Sequence, residues 1–336
     1  MSHNTITHNI THNATHNATH NATIYAGIDV AKAKLDLSIG GTRHCFSNDA
    51  EGHRKLRAIL QQCAEPVHAI IEATGGYEAA LVASLHAHQI ACSVVQPARV
   101  RFFAKAMNQL AKTDPIDADV LAAFGRAVKP KPTMPVSAEI MHLTHTVNRR
   151  RQLVETKVQH TNQAAHYTDK LGIRQSRALI GLLKKQIQQC DKSIAAQIAD
   201  DTGMTWRSER MQEVCGIGPV IAATLIAHMP ELGSLSAEGA AALAGVAPYN
   251  HDSGPRKGTR SIRGGRSEIR CALYMAAMSA VRRDSVLKAF YLHLRANGKK
   301  PMVALTAAMR KLIVLINHLL KHPTFQLQKG AQKGPK

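Results

Sequence analysis

The segment from Ile24 to Val95 constrains the fold most, because strand-like and helix-like stretches follow one another along it. Residues 24–30 are mostly apolar apart from Asp29, and residues 34–39 alternate polar and apolar side chains before a Gly-Gly turn. Alternation with period two that ends at such a turn predicts a β-hairpin, which continues through residues 42–46.

Strand and helix signals then alternate up to the first proline cluster. The predicted elements are a helix at about 52–63, a strand at 67–72, a helix at about 78–88, a strand at 91–95, and helices at about 98–109 and 115–127. A meander of strands that passes into strand–helix alternation is typical of a mixed sheet with helices on its faces.

A proline-rich linker ends this domain, and a stretch poor in Pro and Gly follows from Ala138 to about Ile198. It predicts two long helices with a break near Leu171 and Gly172. Apolar residues at helical spacing fit a coiled-coil surface for a partner, and they fit equally well an ordinary helical hairpin that packs on its own chain. These apolar residues are Leu143, Val147, Leu153, Val154 and Val158.

The last third of the chain opens with Gly216-Ile217-Gly218-Pro219, ahead of an apolar helix that ends at His228. The pattern is similar to a helix-hairpin-helix, whose exposed backbone N–H groups bind phosphate. A tight helix–helix turn explains the glycines equally well. Helices are predicted at about 267–283 and 301–320. The candidate nucleic-acid-binding residues are Gly216, Gly218, Arg256, Lys257, Arg260, Arg263, Arg266 and Arg270.

The charge of the chain points to a polyanionic partner. Its 336 residues carry 43 Lys and Arg against 23 Asp and Glu, a formal net charge of +20. Residues 206–336 hold 20 of the basic and 7 of the acidic side chains, so the anion should mostly meet the C-terminal third. At 45% hydrophobic residues the chain can bury real cores, which excludes a disordered basic tail.

The sequence predicts a cytosolic protein with no membrane partner. No apolar run approaches the ~18 residues that a membrane span needs. The N-terminus lacks the basic and then apolar segments of a secretory signal, and the six cysteines include no CxxC pair. Reduced thiols and the absence of a zinc site are therefore expected.

Four carboxylates stand out by their position. Asp29 lies inside the first strand, where an unpaired buried charge is costly, and Glu72 ends an apolar strand. Asp114 and Asp117 begin a helix three residues apart and therefore share one face. Together they predict an all-oxygen site for Mg²⁺ or Mn²⁺, which can hold two ions about 4 Å apart as phosphoryl transfer requires.

Ordinary structural roles compete with this interpretation. Asp114 followed by proline is a common helix N-terminus, so capping alone explains it. Glu72 can begin the turn that contains Gly75, whereas Asp29 has the weakest ordinary explanation. Two further acids, Asp36 and Asp119, are expected to be solvated.

Six segments around these residues carry a family pattern. They are Gly27–Lys32, Glu72–Tyr77, Lys112–Ala118, Gly216–Pro219, Gly245–Gly254 and Met309–Leu312. The first three resemble the D-E-D-D motif of the IS110 family of insertion-sequence transposases, and the others resemble its C-terminal transposase domain. The resemblance runs from about Ile24 to Leu320 and is nearest to the IS1111 branch. Only the N-terminal Thr-His-Asn repeat departs from the pattern.

The resemblance implies an α/β + α architecture. A RuvC-like (RNase H fold) mixed-sheet domain would carry the metal quartet, a long helical coiled-coil arm would follow, and a mostly α-helical C-terminal transposase domain would hold a nucleophilic serine. The position that matches this serine is Ser253, in a polar turn beside the basic cluster. A serine in a turn is usually a turn former, and its hydroxyl needs a base or a metal for activation, which the carboxylate-held ions can supply.

The composition of the Thr-His-Asn repeat, which has almost no apolar mass, and the resemblance together set the expected domain boundaries. They are a disordered repeat at 1–23, the catalytic domain at 24–135, the arm at 136–205, the C-terminal transposase domain at 206–325 and a basic tail at 326–336.

A prokaryotic, nucleoid-associated recombinase is the implied activity. It would excise and insert its own element through a covalent phosphoserine intermediate, with Ser253, Asp29, Glu72, Asp114 and Asp117 as catalytic residues. Its implied partners are the DNA of the element ends and target, an element-encoded bridge or seeker RNA, and further copies of itself. Dimers would pair into tetramers, in which the carboxylates of one protomer meet the serine of another. With 4% aromatic residues, phosphate contact should dominate over base stacking.

Two other functions stay open at this point. One is a metal-dependent, junction-resolving nuclease that uses water, with Ser253 in a structural role. The other is a basic nucleic-acid-binding scaffold without catalysis, against which the four intact acids argue.

Overall fold

The computed structural model describes residues 23–109, 114–249, 260–283 and 285–327. The chain forms two compact units that divide between Pro135 and Val136, at the end of the proline-rich linker. The predicted arm and C-terminal segment belong to the second unit together. The N-terminal repeat, predicted to be disordered, and most of the basic tail lie outside the described residues.

The first unit is a five-stranded mixed sheet with helices, which confirms the mixed sheet expected from the sequence. Its strands are β1 (Ile24–Val30), β2 (Lys34–Ile39), β3 (Thr42–Ser47), β4 (Val67–Glu72) and β5 (Ala91–Val95). Its helices are α1 (Ala50–Gln61), α2 (Ala79–Ala87), α3 (Pro97–Ala106) and α4 (Asp114–Val128). The strand order is β3-β2-β1-β4-β5, with β1 antiparallel to β2 and parallel to β4.

Alternate residues of β1 face two different cores. Ala26 and Ile28 pack in one core with Leu56 of α1 and Leu81 of α2. Tyr25 packs in the other core, which includes residues of α4. Asp29 shares the face of Tyr25 because successive side chains of a strand alternate. The acid therefore lies on the α4 side of the sheet.

Within its described residues, the second unit is helical apart from one short hairpin. Its helices are α5 (Ala138–Ala164), α6 (Lys170–Ala199), α7 (Thr202–Gln212), α8 (Pro219–His228), α9 (Ala237–Leu243), α10 (Ser267–Arg283), α11 (Ser285–Ala296) and α12 (Pro301–Lys321). The hairpin pairs β6 (Pro248–Tyr249) with β7 (Ser261–Ile262) in antiparallel fashion.

The two long helices predicted for this stretch are α5 and α6, and the break between them lies a few residues before the predicted position. The interruption comes before Lys170, so Leu171 and Gly172 lie in the first turn of α6. Asp169 ends the break because its side-chain Oδ1 accepts a hydrogen bond from the backbone N–H of Gly172 at 2.7 Å, a helix N-cap. Gly172, whose presence had indicated a break, instead donates the hydrogen bond that caps the start of α6.

The helices α9 and α11 were not predicted. α9 is a seven-residue helix that starts from a Ser236 N-cap, and its short length gives little periodicity. α11 begins at Ser285, directly after α10 ends at Arg283, with no Gly or Pro to indicate a new element. Short helices and close junctions leave little trace in a sequence.

Within the described residues, α12 is long and apolar enough to span a membrane by length and composition alone. This corrects the expectation that no segment reaches that length. More than half of the apolar window is buried inside the structure, as expected for a core helix. Its fully buried residues include Leu312, Ile313 and Ile316, which pack with α8, α9 and α10 in the main core of the second unit.

Candidate functional site

Asp29 and Glu72 lie side by side at the carboxyl ends of β1 and β4. The parallel register pairs Gly27 with Ile70 and Ile28 with Ile71, and the next residue on each strand is the acid. Both acids are partly buried. The strands are hydrogen-bonded neighbours, so two acids that are 43 positions apart in the chain lie next to each other at the same end of the sheet.

Helix α4 brings its first turn to the same edge. A Cβ on Gly27 would overlap the carbonyl oxygen of Ala118, and a Cβ on Gly125 would lie against Tyr25 and Ile70. Residue numbers therefore rise along α4 while they fall along β1, so the two elements run antiparallel. The start of α4 consequently extends past Gly27 towards Asp29.

This direction places the two helix acids near the strand acids. Asp117 is partly buried and precedes Ala118, the residue that contacts Gly27. Asp114 is the first residue of α4, and its side chain lies outside the described part of the structure. The fold thus brings the backbone positions of all four predicted acids to one end of the sheet.

The donor set fits a hard divalent cation, because it consists of carboxylate oxygens. Among the residues that the structure describes, no three His, Cys, Asp or Glu side chains already converge as a ligand group. The described part of the quartet is Asp29, Glu72 and Asp117. The carboxylate chemistry therefore fits Mg²⁺ or Mn²⁺, and the register and helix direction bring the three residues to one end of the sheet without their side chains converging.

Two acids that were expected to be solvated are engaged in the structure. Asp36 faces Asp29 across the β1–β2 pair, is 13% exposed, and lies 3.1 Å from the Nζ of Lys34. Asp119 accepts hydrogen bonds from the Ser38 hydroxyl at 2.5 Å and from Arg43, contacts that hold its pKa below the usual range. Arg43 is the larger cause. For Asp119 the expectation was wrong because its partners come from β2 and β3, whereas the Lys34 partner of Asp36 lies two residues away on the same strand.

The loop after Glu72 is held by an acid that the sequence did not single out. One carboxylate oxygen of Glu78 accepts from the Thr74 hydroxyl at 2.6 Å, from the Gly76 N–H at 2.9 Å and from the Thr74 N–H at 3.2 Å. Burial acts to raise the pKa of Glu78, but these hydrogen bonds outweigh burial and the pKa falls below its usual value. The loop is therefore built around a carboxylate that stays ionised.

In the second unit, the β6–β7 hairpin closes the loop that contains the predicted serine. Pro248 pairs with Ile262 and Tyr249 with Ser261 on either side of it. Ser253, Arg256 and Lys257 themselves lie outside the described residues. The structure describes the two short strands, β6 and β7, between which this loop lies in the sequence.

The described arginines of the basic cluster divide into two kinds. Arg260 and Arg263 are exposed. Arg266 instead donates to both carboxylate oxygens of Glu231, at 2.7 and 2.8 Å, and to the carbonyl oxygen of His228 at 2.8 Å. Arg270 donates to the Gly264 carbonyl oxygen at 2.7 Å. The first pair is available to a phosphate, whereas the second pair braces the base of the hairpin.

Glu231 is the acidic partner that the sequence analysis did not identify. Burial acts to raise its pKa, but the hydrogen bonds and charge of Arg266 outweigh burial, and the pKa lies below its usual range. Glu231 and Arg266 are 35 positions apart, so no local pattern connects them. The ion pair fixes where β7 passes into α10.

The two glycines of the helix-hairpin-helix-like turn have different surroundings. Gly216 has a φ of +93°, and a Cβ there would overlap the carbonyl oxygen of Ala276 in α10. Gly218 is the N-cap residue of α8, and a Cβ there would meet nothing within 4 Å. The packing of Gly216 supports a tight turn, and the open space at Gly218 leaves the start of α8 accessible.

Two family models match successive parts of this chain. One, described as a transposase and specific for the DEDD domain of IS110 elements, matches residues 26–171. The other, described as the transposase IS116/IS110/IS902 family, matches residues 208–292. The chain belongs to the IS110 family of transposases. The resemblance to the IS110 family is thereby confirmed.

Curated relatives agree with this assignment to the transposases. The pilin gene-inverting protein of Moraxella lacunata is 29% identical over 309 residues, which cover 87% of this chain and 94% of that protein. The pilin gene-inverting protein of Moraxella bovis matches with the same identity and coverage. An uncharacterised 44.8 kDa protein of insertion element IS116 from Streptomyces clavuligerus is 30% identical over 142 residues, 41% of this chain and 34% of that protein.

Family membership makes this transposase an enzyme that recombines DNA. Its DEDD domain implies dependence on a divalent metal. The acids predicted to supply this motif are those that β1, β4 and α4 bring to one end of the sheet.

Proposed function

We propose that this transposase cleaves and rejoins DNA at its own element by metal-assisted phosphoryl transfer, with Asp29, Glu72, Asp114 and Asp117 as the metal ligands. The register that places Asp29 beside Glu72 is the observation that supports the proposal most strongly. Divalent cations held there would stabilise charge on the attacking and leaving oxygens. The protein contributes the carboxylates and a rigid sheet edge that holds them in place.

Ser253 is the proposed nucleophile. Its hydroxyl oxygen would attack a phosphorus of the DNA backbone and form a new Ser–O–P bond, while the P–O bond to one sugar breaks. The serine proton passes to solvent or to a carboxylate, and the released sugar oxygen gains a proton. The phosphoserine link conserves the energy of the broken phosphodiester for rejoining. The family resemblance supports this role, as does the exposed arginine pair, Arg260 and Arg263, that follows Ser253 closely in the sequence.

The proposed partners follow from charge and shape. DNA is the substrate, and an element-encoded guide RNA that base-pairs with element and target would supply sequence specificity. The basic C-terminal third suits contact with phosphates. Copies of the chain are proposed to assemble as dimers and tetramers through the arm formed by α5 and α6, and a nucleoid-associated, cytoplasmic location follows from the DNA substrate.

The test of the metal site uses two acids on the same sheet face. Asp29→Asn should abolish strand cleavage of element-end DNA in Mg²⁺ and leave DNA binding largely intact. Asp119→Asn is the matched control, because Asp119 lies on α4, on the side of the sheet that Asp29 faces, but bonds Ser38 and Arg43. Cleavage should persist in the control. Full cleavage by Asp29→Asn would contradict the metal-site assignment.

The test of the nucleophile looks for a covalent complex. The wild-type protein, incubated with element-end DNA, Mg²⁺ and any co-purified small RNA, should give a protein–DNA adduct that resists denaturation. Ser253→Ala should give none. Cleavage without an adduct in the wild type would instead favour a junction-resolving nuclease that uses water, and an adduct in Ser253→Ala would place the nucleophile elsewhere.

A further inference from the structure

Asn48 joins the two loops that follow the acid-bearing strands. Its side-chain Nδ2 donates to the Ala31 carbonyl oxygen at 2.9 Å and to the Tyr77 carbonyl oxygen at 3.2 Å. Ala31 comes two residues after Asp29, and Tyr77 comes five residues after Glu72. A single amide group therefore spans the loops that leave β1 and β4 at the carboxylate edge of the sheet.

The orientation of the Asn48 amide is fixed by a buried histidine. Its Oδ1 lies 2.8 Å from the Nε2 of His53, a residue that is 6% exposed. Both loop contacts are carbonyl oxygens, so they need the NH₂ side of the amide, and the oxygen must face a donor on His53. The His53 tautomer therefore carries its proton on Nε2. With two carbonyl oxygens and an imidazole N–H as partners, the amide has one orientation.

The backbone around Asn48 is fixed as well. Its N–H donates to the Ala33 carbonyl oxygen at 3.0 Å. Gly52 lies so close to Ser47 that a Cβ on residue 52 would overlap the Ser47 carbonyl oxygen, and Asp49 caps α1 by accepting from the Gly52 N–H at 2.8 Å. The start of α1 is thus folded tightly onto the end of β3, with Asn48 between them.

We propose that Asn48 is a positioning residue of the metal site, an inference that rests on the proposed function of that site. By linking the loops after Asp29 and Glu72, it holds the two carboxylates in register before a cation binds. Groups that support metal ligands from behind contribute to metal affinity because they reduce the ordering that binding would otherwise require. None of the six motif segments contains Asn48, which lies directly after a third strand, β3.

A purely structural cross-link would behave differently from a positioning residue. Loss of a structural cross-link lowers the free energy of unfolding and leaves the metal affinity of the folded protein unchanged. Loss of a positioning residue also weakens metal binding in protein that is fully folded. The two roles are therefore separated by measuring metal affinity and loop protection directly, without reference to cleavage.

The experiment compares Asn48→Ser with Ser93→Ala in the full chain. Asn48→Ser adds no charge beside the acids, and its hydroxyl is too short to reach both carbonyl oxygens. Ser93→Ala is the matched control, because Ser93 is buried in the same sheet, bonds His68 at 2.8 Å and donates to the Lys131 carbonyl oxygen at 2.7 Å. Mn²⁺ binding to metal-free protein is measured by titration calorimetry, and amide hydrogen exchange is followed at residues 31–34 and 74–78.

Asn48→Ser should bind Mn²⁺ about 10-fold more weakly than the wild type and exchange faster in both loops. Ser93→Ala should bind Mn²⁺ as the wild type does. Unchanged affinity and exchange in Asn48→Ser, together with lost binding in Glu72→Gln, would overturn the role of Asn48 alone. Wild-type binding by Glu72→Gln would show that the metal site itself is wrong, and the proposal would fall with it. If Asn48→Ser does not fold, Asn48→Thr is judged by the same criteria.

Discussion

Gly27 of β1 lies against Ala118 of α4 with no space for a side chain between strand and helix. A Cβ at residue 27 would overlap the Ala118 carbonyl oxygen and approach the backbone nitrogen of Ala122 at 2.5 Å. This contact sets how closely α4 approaches the sheet, and the acids at the ends of both elements depend on that approach. The glycine is required by packing, not by its own backbone conformation.

Gly27→Ala should therefore damage both stability and the site. The added carbon meets backbone atoms, which cannot move aside as a flexible side chain can, so we expect a loss of about 3 kcal/mol or more in unfolding free energy. Denaturant unfolding measures this loss. Gly40→Ala is the comparison, because a Cβ at Gly40 meets nothing within 4 Å and costs only the strain of its φ of +56°. A Gly27→Ala protein as stable as Gly40→Ala would contradict the packing argument.

Arg263→Ala and Arg266→Ala should separate DNA contact from structural support. Exposed Arg263 is expected to contact phosphate, so its loss should make the salt dependence of DNA binding shallower by about one unit of slope. Arg266→Ala breaks the ion pair with Glu231. It should lower the unfolding free energy by about 1–2 kcal/mol, a modest loss because nearly a third of each side chain is exposed. Filter binding over a salt series and thermal unfolding measure the two effects. Equal effects of the two variants in both assays would remove the distinction.

His68 should make the first unit less stable in mild acid. Burial lowers the pKa of His68, so below the ordinary value of about 6.5 the unfolded chain binds a proton that the folded chain does not. The contribution of neutral His68 to the unfolding free energy is fully present above pH 6.5. It is lost as the pH falls towards the folded-state pKa, by up to about 1.4 kcal/mol per pH unit.

Unfolding free energies between pH 7 and pH 5 test this prediction. His68→Gln keeps a donor for Ser93 and should show a smaller loss over this interval than the wild type does. His53 and His228 are shifted in the same direction by burial, so part of the dependence should remain. His88→Gln, at an exposed position, is the control, and a wild-type pH slope in His68→Gln would contradict the prediction.

Leu182→Gln should weaken assembly through the arm. Leu153 of α5 forms a small core with Leu183 and Ile187 of α6. On the same two helices, the side chains of Val158, Leu171 and Leu182 are about half exposed. Exposed apolar side chains beside a formed core suit a second copy of the chain. Sedimentation should show a shift to smaller species for Leu182→Gln, with helix content retained. Leu292→Gln, equally exposed on α11, should sediment as the wild type does.

Sequence reasoning succeeded where a feature is local. The starts and ends of β1, β4 and β5 were predicted to the residue, because apolar runs between turn residues encode a strand directly. The unusual position of Asp29 was also visible, since an acid inside an apolar strand conflicts with its surroundings. The order of the six motif segments was enough to indicate the family, which the family models confirm.

Only the tertiary structure decided which charged groups are neutralised and by what. Asp119 and Arg266 have ordinary surroundings in the sequence, but their side-chain partners lie elsewhere in the fold, 35 to 81 positions away. Asn48 carries no sequence signal, because its importance comes from two carbonyl oxygens on loops that the sheet brings together. Periodicity reports the environment along one element, whereas burial of a polar group depends on which elements pack against it, and that is set by the fold as a whole.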